Sequence, residues 1–219
     1  MVKTNLIIVG AGGFGREVAA MLKHPVFQDE YAIEGFVDDG KDGGEKINDL
    51  LVLGDVDWLL TRKKTAAVVL AIGDPSVKKS IYTKLTVNPV LHFPNIVHPG
   101  ASLHDRDNIR FGKGNIIGEG NIFTTNIAAG DFNLVNLSCT VGHDVQMGSF
   151  CSIMPGVNIS GGTILKDEVY IGTGARLINA ITLHSKCVIG AGALVRTDVP
   201  TGKTFVGVPA RQVENEDKA

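Results

Sequence analysis

Residues 111–195 read FGKGNIIGEGNIFTTNIAAGDFNLVNLSCTVGHDVQMGSFCSIMPGVNISGGTILKDEVYIGTGARLINAITLHSKCVIGAGALV. Stepping through them six at a time from Phe111 lands on Ile117, Phe123, Ala129, Val135 and so on to Ile189 and Val195; every residue met is large and apolar except Ala129. A helical period does not sustain a spacing of six, and strand alternation does not single out one position in six. The position four residues later is mostly small or β-branched (Val145, Val157, Thr163, Val169, Ala175, Ala193, Val199), and Cys139, Cys151 and Cys187 fall in the same class. Two inward positions per six residues predict a solenoid, with three hexads forming an 18-residue coil of three flat faces. Each coil then hydrogen-bonds to the next about 4.8 Å away, and residues 18 apart stack, Asn115 over Asn133 among them. Glycine recurs just after the apolar position (Gly112, Gly118, Gly130, Gly142, Gly148, Gly172, Gly190), which reads as the demand of sharp corners.

Outward from this repeat, turns starting at Val97 and Leu103 read as caps, and the irregular HDRDNIR segment (104–110) resets the phase. The solenoid is expected over 97–211, after a connector at 86–96 containing Pro89 and Pro94 and before a tail at 212–219, polar and disordered from Glu214 onward. Residues 1–85 have a different grammar. Leu6–Val9, Ile33–Val37 and Ala67–Ile72 read as buried strands, and Arg16–Lys23, Val56–Thr61 and Ser76–Leu85 as helices, with Pro25 as a stop. Alternating strands and helices imply a parallel sheet, and about 85 residues make only one half of a dinucleotide-binding fold. The expected fold is thus an α/β half-Rossmann domain followed by a parallel β-helix.

Composition narrows the function. The 219 residues carry a formal net charge of −2, with 44% hydrophobic and 20% charged residues. That balance gives no electrostatic case for nucleic acid or an anionic membrane surface. No apolar run approaches a membrane span, and the N-terminal run is too short for a secretory signal, so a cytoplasmic protein is expected. Three cysteines without a CxxC pair argue against a disulfide framework. Abundant glycine (27 residues) and scarce aromatics (6%) suit tight turns around a narrow core.

The segments GAGGFGREV (10–18), GFVDD (35–39), AIGD (71–74), VGHDV (141–145) and FVGVPAR (205–211) resemble, in order and over nearly the whole chain, the sialic acid O-acetyltransferase (NeuD/PglD-type) family of hexapeptide-repeat sugar acyltransferases. The resemblance implies a left-handed β-helix, although ordinary parallel crossovers are right-handed. It also implies a homotrimer and acetyl-CoA as co-substrate. The acceptor it implies is a sugar, foremost the amine of a UDP-type amino sugar, with a sialic-acid-type hydroxyl as the alternative.

His143 is the candidate general base, since a neutral imidazole accepts a proton near neutral pH; by position alone it is an ordinary surface histidine. Asp144 either holds the imidazole or is a solvated turn residue. Gly161, 18 residues after His143 and flanked by Ser160 and Gly162, either offers its N–H to a developing oxyanion or is a corner glycine. Asn136 matches a polar position of the family segment or is a buried ladder residue. Lys203, Gly207, Pro209, Ala210 and Arg211 resemble the segment that lies along CoA, or cap the solenoid.

Gly10, Gly12 and Gly15 form GxGxxG after a strand, with Gly13 and Phe14 inside it and Asp38–Asp39 about 23 residues on. By spacing alone that is a dinucleotide fingerprint. In the family this half holds the nucleotide of the sugar, which makes Gly10, Gly12, Gly13, Phe14, Gly15, Asp38, Asp39 and Gly73 its expected contacts, or else turn residues. Two residues depart from the family: Phe14 replaces a histidine common in the glycine turn, and Ser152 stands where relatives often carry a second histidine. His92, His98 and His104 share the spacing of six, but the phase break and the lack of a Cys or acid partner argue against zinc; His24 and His184 read as surface residues. Two rival functions remain at this level: an NAD-dependent oxidoreductase, from the glycine fingerprint, and a non-catalytic nucleotide-sugar-binding solenoid, from the repeats.

Overall fold

The computed structural model describes residues 3–213, so the tail from Glu214 lies outside the described residues. The chain divides into two compact units, one through Ile96 and one from Val97 onward.

The first unit is a six-stranded sheet with helices. In chain order it runs β1 (Thr4–Val9), α1 (Gly13–Met21), α2 (Pro25–Glu30), β2 (Tyr31–Val37), β3 (Lys46–Ile47), β4 (Leu50–Gly54), α3 (Val56–Leu60), β5 (Ala66–Leu70), α4 (Pro75–Leu85) and β6 (Leu91–His92). The sheet order is β3-β4-β2-β1-β5-β6, parallel except for the β3–β4 hairpin. Leu6–Val9 and all of β5 are buried, as expected of central parallel strands covered on both faces. The order reverses between β1 and β5, which gathers the turns after β1, β2 and β5 at one edge.

Several local readings change. Helix α1 ends before Pro25, and Pro25 itself occupies the first turn of a second helix, α2, whose N-cap is His24, with Nδ1 accepting from Val26 N–H at 3.3 Å. A proline there loses no hydrogen bond, because the first helical N–H groups have no partner anyway. The glycine turn is shorter than Gly10–Gly15, since α1 starts at Gly13. The stretch 86–96 contains β6, which pairs with β5.

The second unit is a left-handed parallel β-helix. Its three faces are ladders with a register of 18: Ile117–Val135–Ile153–Ile171–Ile189, Phe123–Val141–Ile159–Leu177–Val195, and Ala129–Met147–Leu165–Leu183. These residues and those four positions on, such as Val145, Cys151, Val157 and Ala175, form the core. All three cysteines are buried, and none forms a disulfide. Burial pushes the Cys139 thiol up to about 11 and Cys187 to about 12, so neither thiol ionises near neutrality.

The turns at Val97 and Leu103 are a coil rather than a cap. Leu103 pairs with Phe123, twenty residues on, whereas Phe111 pairs with Ala129, eighteen on. A 3-10 turn at Arg106–Asn108 absorbs the difference.

The glycines after the apolar positions have a different cause from the one their spacing suggests. None of them has positive φ. A Cβ at Gly142 would stand 2.6 Å from Gly161 N, and one at Gly172 2.6 Å from Ala191 N. The demand is close approach between coils. The left-handed residue falls two positions later, at every sixth residue from Gly114 to Gly192, and Asn126, Phe132, Asp144, Glu168 and Lys186 occupy it as well as glycine.

Inside the early coils three buried asparagines replace apolar side chains. Asn115 Oδ1 accepts from Asn133 N–H, and Asn133 Oδ1 from Cys151 N–H, at 2.9 and 2.8 Å. Asn133 Nδ2 donates to Gly148 O, and Asn121 Oδ1 accepts from Cys139 N–H. The ladder feeds backbone groups that no strand partner reaches. Asn133→Ala strands two of them in the core and is expected to lower stability by about 2 kcal/mol, read as a fall in the urea midpoint with unchanged slope. An unshifted midpoint would show that the ladder is dispensable.

Candidate active site

Between the strands Thr140–Val141 and Gln146–Met147 the β-helix turns a corner at residues 142–145. Val145 points inward, while His143 and Asp144 stand outside with side chains 67% and 58% exposed. Asp144 adopts the left-handed conformation of the corner, φ 60°, which brings its carboxylate back to the preceding ring: Oδ2 lies 2.8 Å from His143 Nδ1. The hydrogen bonds from His143 first and then Asn126 hold the Asp144 carboxyl below the usual carboxylate range. An ionised carboxylate only accepts. In the neutral ring Nδ1 therefore carries the proton, and Nε2 presents a lone pair.

One coil on, Gly161 lies against that ring. A Cβ on Gly161 would stand 2.5 Å from Nε2 and 2.6 Å from Cε1, so only glycine fits beneath the imidazole. Gly162 N–H donates to His143 O at 2.8 Å and ties the two corners together. The Gly161 N–H has no acceptor among the described residues. A proton acceptor and a free N–H donor thus share one exposed corner, the pair needed by a reaction that deprotonates a nucleophile and builds charge on a carbonyl oxygen.

The other expected residues of the β-helix stand elsewhere within the chain. Thr204–Val206 pairs with Val188–Ile189, and Gly207 O and Ala210 N–H bond to Leu194 at 3.0 and 2.8 Å. Lys203, Gly207, Pro209, Ala210 and Arg211 therefore close the ends of the first two faces, away from the corner between the second and third that carries His143. Lys203 and Arg211 are exposed, and Ala210 is buried. Asn136 is not a buried ladder residue: it is half-buried at the corner between the first two faces, where Oδ1 accepts from Leu137 N–H. Ser152 is fully buried in the first face, in register with Leu134 and Tyr170.

In the first unit the glycines divide into two kinds. Gly10 has φ 101°, with Ala71 O 2.8 Å from any Cβ, and a Cβ on Gly15 would overlap Gly10 O. These two are required by packing. Gly12, Gly13 and Gly73 would meet nothing within 4 Å, so their backbones face open space at the start of α1 and the end of β5. Asp38 braces the glycine turn: Oδ2 accepts from Ala11 N–H and Oδ1 from Gly40 N–H. Asp39 Oδ1 accepts from Val56 N–H at 2.7 Å; its other oxygen makes no hydrogen bond among the described residues, though Lys84 feels the carboxylate's charge. A cleft of about 180 Å³ opens here, between Gly10, Asp38, Asp39 and Ile72. Phe14 is half-buried in the first turn of α1.

Asn126 was legible through the rule that found Gly161, because it precedes Asp144 by 18 residues. Among the described residues no group of three or more His, Cys, Asp or Glu is placed to hold a metal ion, and no helix is long and apolar enough to cross a membrane.

Comparison with known proteins adds four likenesses. Residues 5–85 match the family model described as the PglD N-terminal domain. The chain is 30% identical to the GDP-perosamine N-acetyltransferase of Escherichia coli O157:H7, over 94% of this chain and 95% of that protein. Among solved structures, the acetyltransferase domain of PglB from Neisseria gonorrhoeae FA1090, in complex with acetyl coenzyme A, superposes with a TM-score of 0.85 at 28% identity, covering 97% of this chain and 100% of that one. PerB from Caulobacter crescentus, solved with CoA and GDP-perosamine, shares the fold at TM-score 0.85 and 24% identity, over 97% and 99% of the two chains.

Proposed function

Because this chain belongs to the PglD-type hexapeptide-repeat sugar acetyltransferases, we propose that it transfers the acetyl group of acetyl-CoA to the amine of a nucleotide-linked sugar, with His143 as general base. The observation that carries the reading is the placing of His143 Nε2 over Gly161, with Asp144 fixing Nδ1. The sugar amine attacks the thioester carbon as Nε2 takes its proton. The new C–N bond forms, the carbonyl oxygen becomes an oxyanion facing the Gly161 N–H, and the C–S bond then breaks. The proton returns from the imidazolium to the departing sulfur, and CoA leaves as a thiol. No acyl-enzyme is required, since holding both reactants in line supplies much of the acceleration.

The open backbone at Gly12 and Gly13 suits a diphosphate, because α1 begins there with unbonded N–H groups and no side-chain cap. The free oxygen of Asp39 is the group left to meet the base or ribose, while Asp38, Gly10 and Gly15 shape the turn. The C-terminal segment and the His143 corner belong to different edges of one prism. A CoA molecule that meets both would therefore run between neighbouring subunits, and the homotrimer that the family resemblance implies would close three such clefts. Lys203 and Arg211 would then meet CoA phosphates. A cytoplasmic reaction is part of this proposal, acetyl-CoA and a nucleotide sugar being its co-substrates.

The test is thiol release from acetyl-CoA in the presence of GDP-, UDP- and dTDP-linked amino sugars and their hydroxyl counterparts, with product mass as the second readout. Acetylation of at least one amino sugar is expected. Tight NADH binding without any thiol release would favour the oxidoreductase instead, and CoA binding without transfer to any acceptor a non-catalytic solenoid. The pH profile carries a further expectation. A carboxyl with a depressed pKa stays charged until the pH falls below the ordinary carboxylate range, so Asp144 adds no ionisation where an imidazole titrates. With both substrates saturating, Asp144→Asn should therefore remove no limb from the pH profile of kcat between pH 8 and 5. A limb in that window that disappears in the variant would contradict this.

A further inference from the structure

The corner that carries His143 is fastened on both flanks to the coil before it. Val141 O accepts from Thr124 N–H at 3.1 Å and from the Thr124 hydroxyl at 3.3 Å. Asp144 N–H donates to Thr125 O at 3.1 Å. Thr125 precedes His143 by 18 residues, so it stands in the same column one coil below. The threonine pair is gripped in turn from the coil beneath it. Asp105 N–H donates to Thr124 O at 3.2 Å, and the Thr125 hydroxyl donates to Asp105 Oδ2 at 2.5 Å. Asn108 Nδ2 donates to the same oxygen at 2.9 Å, and Asp105 is half-buried.

Asp105 and Asn108 belong to the irregular segment that breaks the six-residue repeat. Leu103 pairs with Phe123 at a distance of twenty residues, whereas Phe123 pairs with Val141 at eighteen. The two extra residues fall between the strands Ser102–Leu103 and Ile109–Phe111, on the edge of the prism that carries His143. Stacking alone does not need such a clasp. At the Gly161 corner, next on that edge, main-chain bonds such as Gly162 N–H to His143 O at 2.8 Å suffice, and among the described residues no side chain of the preceding coil hydrogen-bonds there. The chain thus departs from its repeat at the place where the departure brings a carboxylate to the residue beneath His143.

On the strength of the function proposed above, we infer that Asp105 is a positioning residue for the acetyl transfer: through the Thr125 hydroxyl it fixes the threonine pair on which the His143 corner rests, and so keeps Nε2 over Gly161. It acts through Thr125 and touches neither substrate. Rate falls steeply when a catalytic group is displaced. Loss of the clasp should therefore lower kcat without raising either KM, and should cost nothing once the imidazole is gone.

Thr125→Val is the suitable variant, since it keeps the branched shape and removes only the hydroxyl, while Asn108 still bonds Asp105. It is expected to lower kcat about tenfold, the rate equivalent of one hydrogen bond to a charged group, with both KM values unchanged. Thr125→Ser, which keeps the hydroxyl, should recover most of that loss. Asp105→Ala should match Thr125→Val, and the two together should lose no more than either alone. In the His143→Ala background, adding Thr125→Val should produce no further loss. An unchanged kcat for Thr125→Val, or losses that multiply in either double variant, would overturn the inference. Amide hydrogen exchange at Asp144, whose N–H bonds Thr125 O, reads the corner without turnover. It should quicken several-fold in Thr125→Val while Ile153, in the core ladder, keeps its rate. An unchanged rate at Asp144, or equal quickening at Ile153, would overturn the positioning role. Failure of the parent protein to acetylate any nucleotide amino sugar would instead sink the proposed function and leave the exchange result standing.

Discussion

His143→Ala is expected to lower kcat by a factor of about 10²–10⁴, the range that a positioned general base supplies, while the KM for acetyl-CoA and for the sugar stay within about twofold. The side chain is exposed at a corner and outside the core, so the fold should tolerate its removal and the melting temperature should not move. The residual rate comes from orientation and from the Gly161 N–H. Steady-state kinetics with each substrate varied in turn make the check. A variant with the parent kcat would remove His143 from the chemistry, and one with unchanged kcat but a large rise in KM would make it a binding residue.

Gly161→Ala should come next in size although it adds a single carbon. That carbon would stand 2.5 Å from His143 Nε2, so the imidazole must swing away from the position in which Asp144 holds it. A displacement of about 1 Å of a catalytic group costs on the order of 100-fold, and the new methyl also crowds the approach to the Gly161 N–H. The backbone at Gly161 does not have positive φ, so the substitution carries no conformational strain of its own. Loss of kcat with an unchanged denaturation midpoint is therefore expected. Parent activity in this variant would mean that the ring does not work from over Gly161.

The β-helix was legible because each coil repeats the same demand three times. A misread hexad is corrected by the residues 18 away on either side, and the ladders from Ile117 and Phe123 fall on the register that the spacing implies. The cause of the regular spacing of glycines was not legible, since Gly142 and Gly162 look alike in sequence. One is needed for the approach of the next coil and the other for its φ, and only coordinates separate them. In the first unit, buried runs such as Leu6–Val9 announce central strands. The two-residue strands β3 and β6 carry no periodicity and depend on a neighbour to be strands at all.

The site shows the same division. His143 and Gly161 could be paired from sequence because the coil length puts them in one column, and Asn126 obeys the same arithmetic. The stacking rule says nothing of which corner a residue occupies. Asn136 sits seven residues before His143 yet turns a different corner, and Lys203 and Arg211 end other faces. In the glycine turn, spacing alone treated all three GxGxxG glycines as ligand contacts, whereas Gly10 and Gly15 are consumed by packing and Gly12 is left open.

A crystal structure of the protein with acetyl-CoA and an unreactive analogue of a nucleotide amino sugar tests the central claim most directly. The acetyl oxygen is expected about 3 Å from the Gly161 N–H, with the acceptor nitrogen within hydrogen-bond reach of His143 Nε2. A thioester bound at another corner of the β-helix, with His143 facing only solvent, would contradict it.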